Sequence, residues 1–161
     1  MRKSRVDSVT LEPAGKDEGW LDLEKIAQVA VTSEDPNYPI EAALTRRASA
    51  EAVEGWRAGG PGEQSIRLVF DAPQRIRRIL LRFEETECER TQEFSLRWRP
   101  EMNERAQEIV RQQWNFSPVG ATTEVEDYKV NIENVGVVEL IINPDISQPD
   151  CIATLAQWRI A

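Results

Sequence analysis

Two short stretches carry residue types from which a ligand site can be built. SEDPNYP, residues 33–39, offers Glu34, Asp35, Asn37 and Tyr38, and EGWRAGGPGEQ, residues 54–64, offers Arg57 beside Trp56. A sugar is held by an apolar or aromatic surface against the C–H face of its ring. Planar amide, carboxylate or guanidinium groups then share hydrogen bonds with its hydroxyls. Tyr38 can supply the surface, while Glu34, Asp35, Asn37 and Arg57 can supply the polar contacts. The same residues have a plainer use, in which Asn37 and Pro39 shape a turn, Trp56 is core and Arg57 pairs with a nearby acid.

A second set of candidates is cationic. Arg67, Arg78, Arg82, Arg97 and Arg99 fall at the outward positions of alternating segments. On neighbouring strands they would form a basic stripe able to meet a phosphate, a nucleic acid or an acidic partner. Glu84, Glu85, Glu87, Glu89 and Glu93 lie close in sequence, so a solvated face laced by cross-strand ion pairs competes with that expectation. Consecutive acids on a loop point into water, and no metal or other cofactor is expected.

Several function classes are disfavoured by composition. The chain contains no histidine, which removes the usual general base near neutral pH, the base of Ser and Cys triads, and the commonest zinc ligand. Carboxylate-based glycosidase chemistry needs two acids at a set separation, which sequence alone does not supply; a non-catalytic chain is expected. With 28 Asp and Glu against 20 Lys and Arg, the net charge of -8 makes nucleic acid an unfavourable general partner. No apolar run approaches the roughly 20 residues needed to span a membrane. The start, MRKSRVDSVTLEP, lacks the apolar segment of a signal peptide. Cys88 and Cys151 lie in unrelated surroundings with no CxxC spacing and read as free thiols. A cytoplasmic protein is expected.

The elements that would position these residues are read from periodicity. With 161 residues, 40% of them hydrophobic, the chain is long enough for one cored domain. We place it over residues 19–161, after a polar arm over 1–18. Ala27, Val29 and Val31 alternate as a first strand, and a short helix follows Pro39. Gly59, Gly60 and Gly62 with Pro61 read as a sharp turn into the next strand. Ile66, Leu68 and Phe70, then Ile79, Leu81 and Phe83, read as a hairpin around DAPQ; Phe94, Leu96 and Trp98 continue the same design. ERAQEIVRQQWNF fits helix or strand, and strand is chosen because alternating segments surround it. Residues 125–132 and 137–143 flank ENVG, read as a hairpin turn with Gly136 at positive φ. Ala156, Trp158 and Ile160 close the pattern, and Trp98, Trp114 and Trp158 take inward positions. About eight antiparallel strands with regular turn signals predict an all-β jelly-roll or β-sandwich.

The order of VAVTS, a Pro-rich loop, the EAAL helix, GW opening a strand, IRLVFDAPQRIRRILL, FSLRW and LAQWRI resembles the discoidin or factor V/VIII type C domain. The likeness runs from about Trp20 to Ala161 and implies the galactose-binding-like jelly roll. Leu68, Phe70, Asp71, Ile76 and Ile79 match that family's central strand pair, and Trp56 matches its Trp at the entrance to the sheet. The resemblance also implies that both loops in question meet at one end of the sandwich, where such domains bind sugars, lipid head groups, proteins or damaged DNA. Many members hold a structural calcium with acidic ligands. Here Gln157 stands at the final ligand position, and Thr45, Arg46 and Arg47 replace an Asp-Gly, so no calcium is expected. The chain is therefore expected to be a non-catalytic module that binds carbohydrate through its end loops. The alternative is a protein-interaction domain in a cytoplasmic complex, using the same loops or the arginine face.

Overall fold

Alternating apolar residues along eight segments produce eight strands, all paired antiparallel, in a computed structural model that describes residues 19–45 and 55–161. The arm over 1–18 and Arg46 and Arg47 lie outside the described residues. The elements are α1 (Leu23–Ile26), β1 (Ala27–Val31), α2 (Glu41–Leu44), β2 (Trp56–Pro61), β3 (Gln64–Glu84), β4 (Arg90–Arg99), β5 (Gln107–Phe116), β6 (Thr123–Asn143), β7 (Ile152–Leu155) and β8 (Gln157–Ile160). The main sheet runs β1-β3-β6-β4-β5, with β8 also paired to β3, and β2 and β7 form a separate ribbon.

The two expected hairpins are not hairpins. β3 and β6 each run 21 residues and stay paired along their length. From Val69 to Gln74 β3 advances five residues while β6 moves only from Val137 to Val135; from Gln74 to Arg78 it advances four while β6 moves six, from Val135 to Lys129. Such unequal counts are bulges, and bulges bend and twist a strand pair. Pro73, with no N–H to give the ladder, sits in the first of them. The bent pair serves two layers. The first part of β3, around residues 66–69, lies between β1 and β6, with β4 on the far side of β6, whereas residues 79–82 lie between β6 and β8.

Between the layers, Ile66, Leu68, Ile79, Leu81, Leu140, Ile142 and Ile160 are fully or almost fully buried. Phe83 and Phe94 meet across the sandwich with ring centroids 5.1 Å apart. Each such side chain contributes roughly 1.5 to 3 kcal/mol on burial. Trp56 and Trp158 are core residues, as their positions predict, while Trp98 and Trp114 are only partly buried against it. The ambiguous ERAQEIVRQQWNF segment is strand β5.

The glycines take roles different from those read in sequence. Gly136 is not among the positive-φ residues; Asn134 has φ 62° instead. A Cβ at Gly136 would overlap the Pro100 carbonyl oxygen, so the position is reserved by a close backbone approach. Of the Gly-Gly-Pro-Gly run, only Gly62 has positive φ, at 93°, and Gly59 and Gly60 extend β2. Among the described residues no helix is long and apolar enough to cross a membrane, and Cys88 and Cys151 are free.

Candidate functional site

The loop after β1 and strand β2 come together at one end of the sandwich. Asp35 N donates to Arg57 O at 2.9 Å, and Arg57 N donates to Tyr38 O at 3.2 Å, so the main chains of the two stretches are stitched side by side. The Arg57 guanidinium then lies over the Tyr38 ring, 4.8 Å from its centroid. Trp56 anchors the pair from below, fully buried, with its indole Nε1 donating to Ser33 O at 3.2 Å. Ser33 Oγ accepts from Gly59 N at 2.9 Å, and the same glycine leaves only 3.0 Å between a built Cβ and Glu34 O.

All five residues singled out in sequence are thus in one neighbourhood, although not all are free to work on a ligand. Glu34 Oε1 accepts from Ile40 N at 2.9 Å and secures the start of α2. Asp35 Oδ1 accepts from Asn37 N at 2.9 Å, the local turn its residue type favours. Asn37 is exposed, while Tyr38 and Arg57 are half-buried. Arg57 Nε is buried and has no hydrogen-bond partner among the described residues, and no ion pair from them reaches its guanidinium. The plain reading therefore holds for Trp56 and for the turn, whereas the expected acid partner of Arg57 is not found among the described residues.

The arginine stripe does not form. Arg67, Arg97 and Arg99 surround one buried carboxylate, Glu139, at 3.4, 2.9 and 3.6 Å. Burial alone would raise the pKa of Glu139; hydrogen bonds from Ser65 and Arg97 and the fields of Arg97 and Arg67 bring it below the ordinary value. Arg78 pairs with Asp127 at 2.6 Å and Arg82 pairs with Glu84, both on the part of β3 beyond its bend. The bend divides the five arginines between two surfaces, and each of them is paired with a carboxylate there.

A polar cluster inside the sandwich has no counterpart in the sequence reading. Glu124 is fully buried; its Oε1 accepts from Gln92 Nε2 at 3.2 Å, and its Oε2 has no partner among the described residues when both acids are ionised. Glu126, two residues along the same face of β6, is within hydrogen-bonding contact. Burial, then the neighbouring Glu126, push the Glu124 carboxyl up to about 8. A proton held between the two acids satisfies the orphaned oxygen. A raised pKa can mark a catalytic acid, but a carboxyl with no exposed surface and an acid in direct contact lacks the separation that two-carboxylate hydrolysis requires. The alternation of Glu124, Glu126 and Tyr128 on one strand face was the available signal, since it places acids at inward positions.

At the calcium position of the resemblance, the Gln157 amide oriented with its oxygen toward Arg159 accepts from Nε at 3.2 Å and Nη2 at 2.9 Å. Among the described residues no group of three or more metal-ligating side chains assembles.

With this geometry in place, comparison with solved structures is informative. The family 32 carbohydrate-binding module of AlyQ, in complex with 4,5-unsaturated mannuronic acid, superposes with a TM-score of 0.59 at 15% identity, covering 84% of this chain and 95% of that one. The fold is galactose-binding-like. A Clostridium perfringens family 32 module in complex with GalNAc-β-1,3-galactose gives 0.59 at 13% identity, over 88% of this chain and 99% of that one. A Ruminococcus gnavus fucosidase gives 0.62 at 9% identity, over 87% of this chain but 26% of the fucosidase chain. No family model and no curated protein matches the chain. At these identities the likeness establishes the jelly-roll sandwich, and the chemistry must come from this chain's own residues.

Proposed function

We propose that this chain is a non-catalytic carbohydrate-binding module whose saccharide site lies on the loop after β1 and the adjoining β2. The observation that carries the reading is the Tyr38–Arg57 stack, a guanidinium whose buried Nε has no partner among the described residues, held over an aromatic ring at the loop end of a galactose-binding-like sandwich. Tyr38 presents an apolar surface to a sugar ring, Arg57 donates to ring hydroxyls or to a uronate carboxylate, and Asn37 offers an exposed amide. Structural neighbours solved with mannuronic acid and with a galactose-containing disaccharide support this class of ligand. The alternative of a partner protein on the arginine face has no comparable support, because the bend of β3 splits those arginines and Glu139, Asp127 and Glu84 hold them in internal ion pairs.

The test is calorimetric titration of the purified protein with galactose, N-acetylgalactosamine and a mannuronate oligosaccharide. Saturable heat with at least one of them, reduced about tenfold or more in affinity by Arg57→Ala and by Tyr38→Ala, is the expected result. That factor corresponds to the loss of one charge-assisted contact. Absence of binding by all three at tens of millimolar sinks the proposal.

A further inference from the structure

We infer that the loop site selects acidic sugars, with Arg57 taking the carboxylate of a uronic acid. This rests on the carbohydrate reading above and narrows the ligand class of that same site.

The chain has a net charge of -8, so carboxylates are plentiful. Eight arginines of β3, β4 and β5 accordingly have a carboxylate oxygen within 4.0 Å. Arg57 is half-buried and has none among the described residues. Both acids of the facing loop are engaged elsewhere. Glu34 Oε1 accepts from Ile40 N and Asp35 Oδ1 accepts from Asn37 N, each at 2.9 Å. Opposite Arg57 in the β2–β7 ladder, and so on the same face of that ribbon, stands Thr154. It is neutral, and its hydroxyl already donates to Glu84 O at 3.1 Å and accepts from Arg90 Nη2 at 3.4 Å. A cation partly withdrawn from water without a counter-ion is costly, and an incoming carboxylate offsets that cost.

The donors left over suit a carboxylate. No hydrogen bond from the described residues reaches the three guanidinium nitrogens of Arg57, and of these only Nε is shielded from solvent. The two terminal nitrogens stay open, and they form a fork from which two carboxylate oxygens can accept in parallel. The guanidinium carbon lies 4.8 Å from the Tyr38 ring centroid, and this stacking fixes the plane of the fork before a ligand arrives. A sugar hydroxyl accepts from the fork through one oxygen, whereas a carboxylate uses two and brings the opposing charge. The step from a neutral to a charge-assisted hydrogen bond is about tenfold in affinity.

The backbone amide signals of Asn37 and Tyr38 in the 15N-labelled protein, followed during titration with galacturonate, its methyl ester and galactose, test this. The ester keeps the shape of the acid and removes its charge. Galacturonate should saturate the shifts at about tenfold lower concentration than the ester or galactose. In Arg57→Gln that advantage should disappear while a weak response to all three remains. Arg57→Lys, which keeps the charge without the planar fork, should retain part of it. Galactose or the ester binding wild type as tightly as galacturonate overturns the acid preference and leaves the loop site standing. A preference that survives Arg57→Gln overturns the assignment to Arg57. Signals that stay fixed with all three overturn the acid preference, and the calorimetric titration above then decides the loop site separately.

Discussion

Replacing Glu124 by Gln should stabilise this protein at neutral pH, although it removes a hydrogen-bonded, fully buried acid. The carboxyl titrates near 8 in the folded chain, against 4.5 for an ordinary Glu, because burial and the adjacent Glu126 both penalise its charge. The folded state therefore binds this proton more tightly than the unfolded state does. Its contribution is fully present below pH 4.5 and is lost progressively as the pH rises toward 8. Stability falls by about 1.4 kcal/mol per pH unit across that window. At pH 7 the unfolded chain has gained about 3 kcal/mol from ionising Glu124, and Gln forfeits that gain. Its amide still accepts from Gln92 and donates to Glu126, so the contacts survive. Urea unfolding of both proteins at pH 4, 5, 6, 7 and 8 measures the difference. The two curves should coincide at pH 4 and diverge to at most about 3 kcal/mol at pH 7, a rise in Tm of roughly 6 to 12 °C for a domain of this size. A difference that is constant with pH, or a variant less stable than wild type at pH 7, would refute the shared proton.

Three further outcomes follow from other parts of the sandwich. Glu139→Gln leaves Arg67, Arg97 and Arg99 without their common carboxylate and should cost about 1 to 2 kcal/mol at pH 7, allowing for the solvent exposure of the arginines. Because the pKa of Glu139 is depressed, that stabilisation is present above 4.5 and disappears as the pH falls through the lower folded value, so the variant should match wild type in acid unfolding at low pH. Gly136→Ala drives a methyl group into the Pro100 carbonyl oxygen and should cost about 2 kcal/mol or more in chemical denaturation; an unchanged midpoint would contradict the close approach. Phe83→Ala removes one side of the ring contact with Phe94 between the layers and should cost about 3 to 5 kcal/mol by the same assay.

The sequence alone determined where most strands lie and which face of each is apolar, because side-chain alternation is a property of a single segment; β2, whose Gly59, Gly60 and Pro61 read as a turn, is the exception. Ile66, Leu68 and Phe70 face inward whatever they pair with, and so do Trp158 and Ile160. The choice of strand for residues 107–116 depended only on its neighbours in the chain. Pairing is a different matter. DAPQ and ENVG carry ordinary turn residues, yet β3 and β6 pass through them unbroken, because hydrogen bonds between partners far apart in sequence outweigh a local preference. The loops holding Tyr38 and Arg57 were identifiable from residue type, but their stacking required two segments 19 positions apart to meet at one end of a sandwich. The tertiary structure also decided which charges meet. Arg67 and Glu139 lie 72 positions apart and form an ion pair only because β3 and β6 are adjacent. Glu124 became a shifted acid only when burial placed it beside Glu126 and Gln92. Electrostatic energies depend on distance and on exclusion of water, and the folded chain sets both.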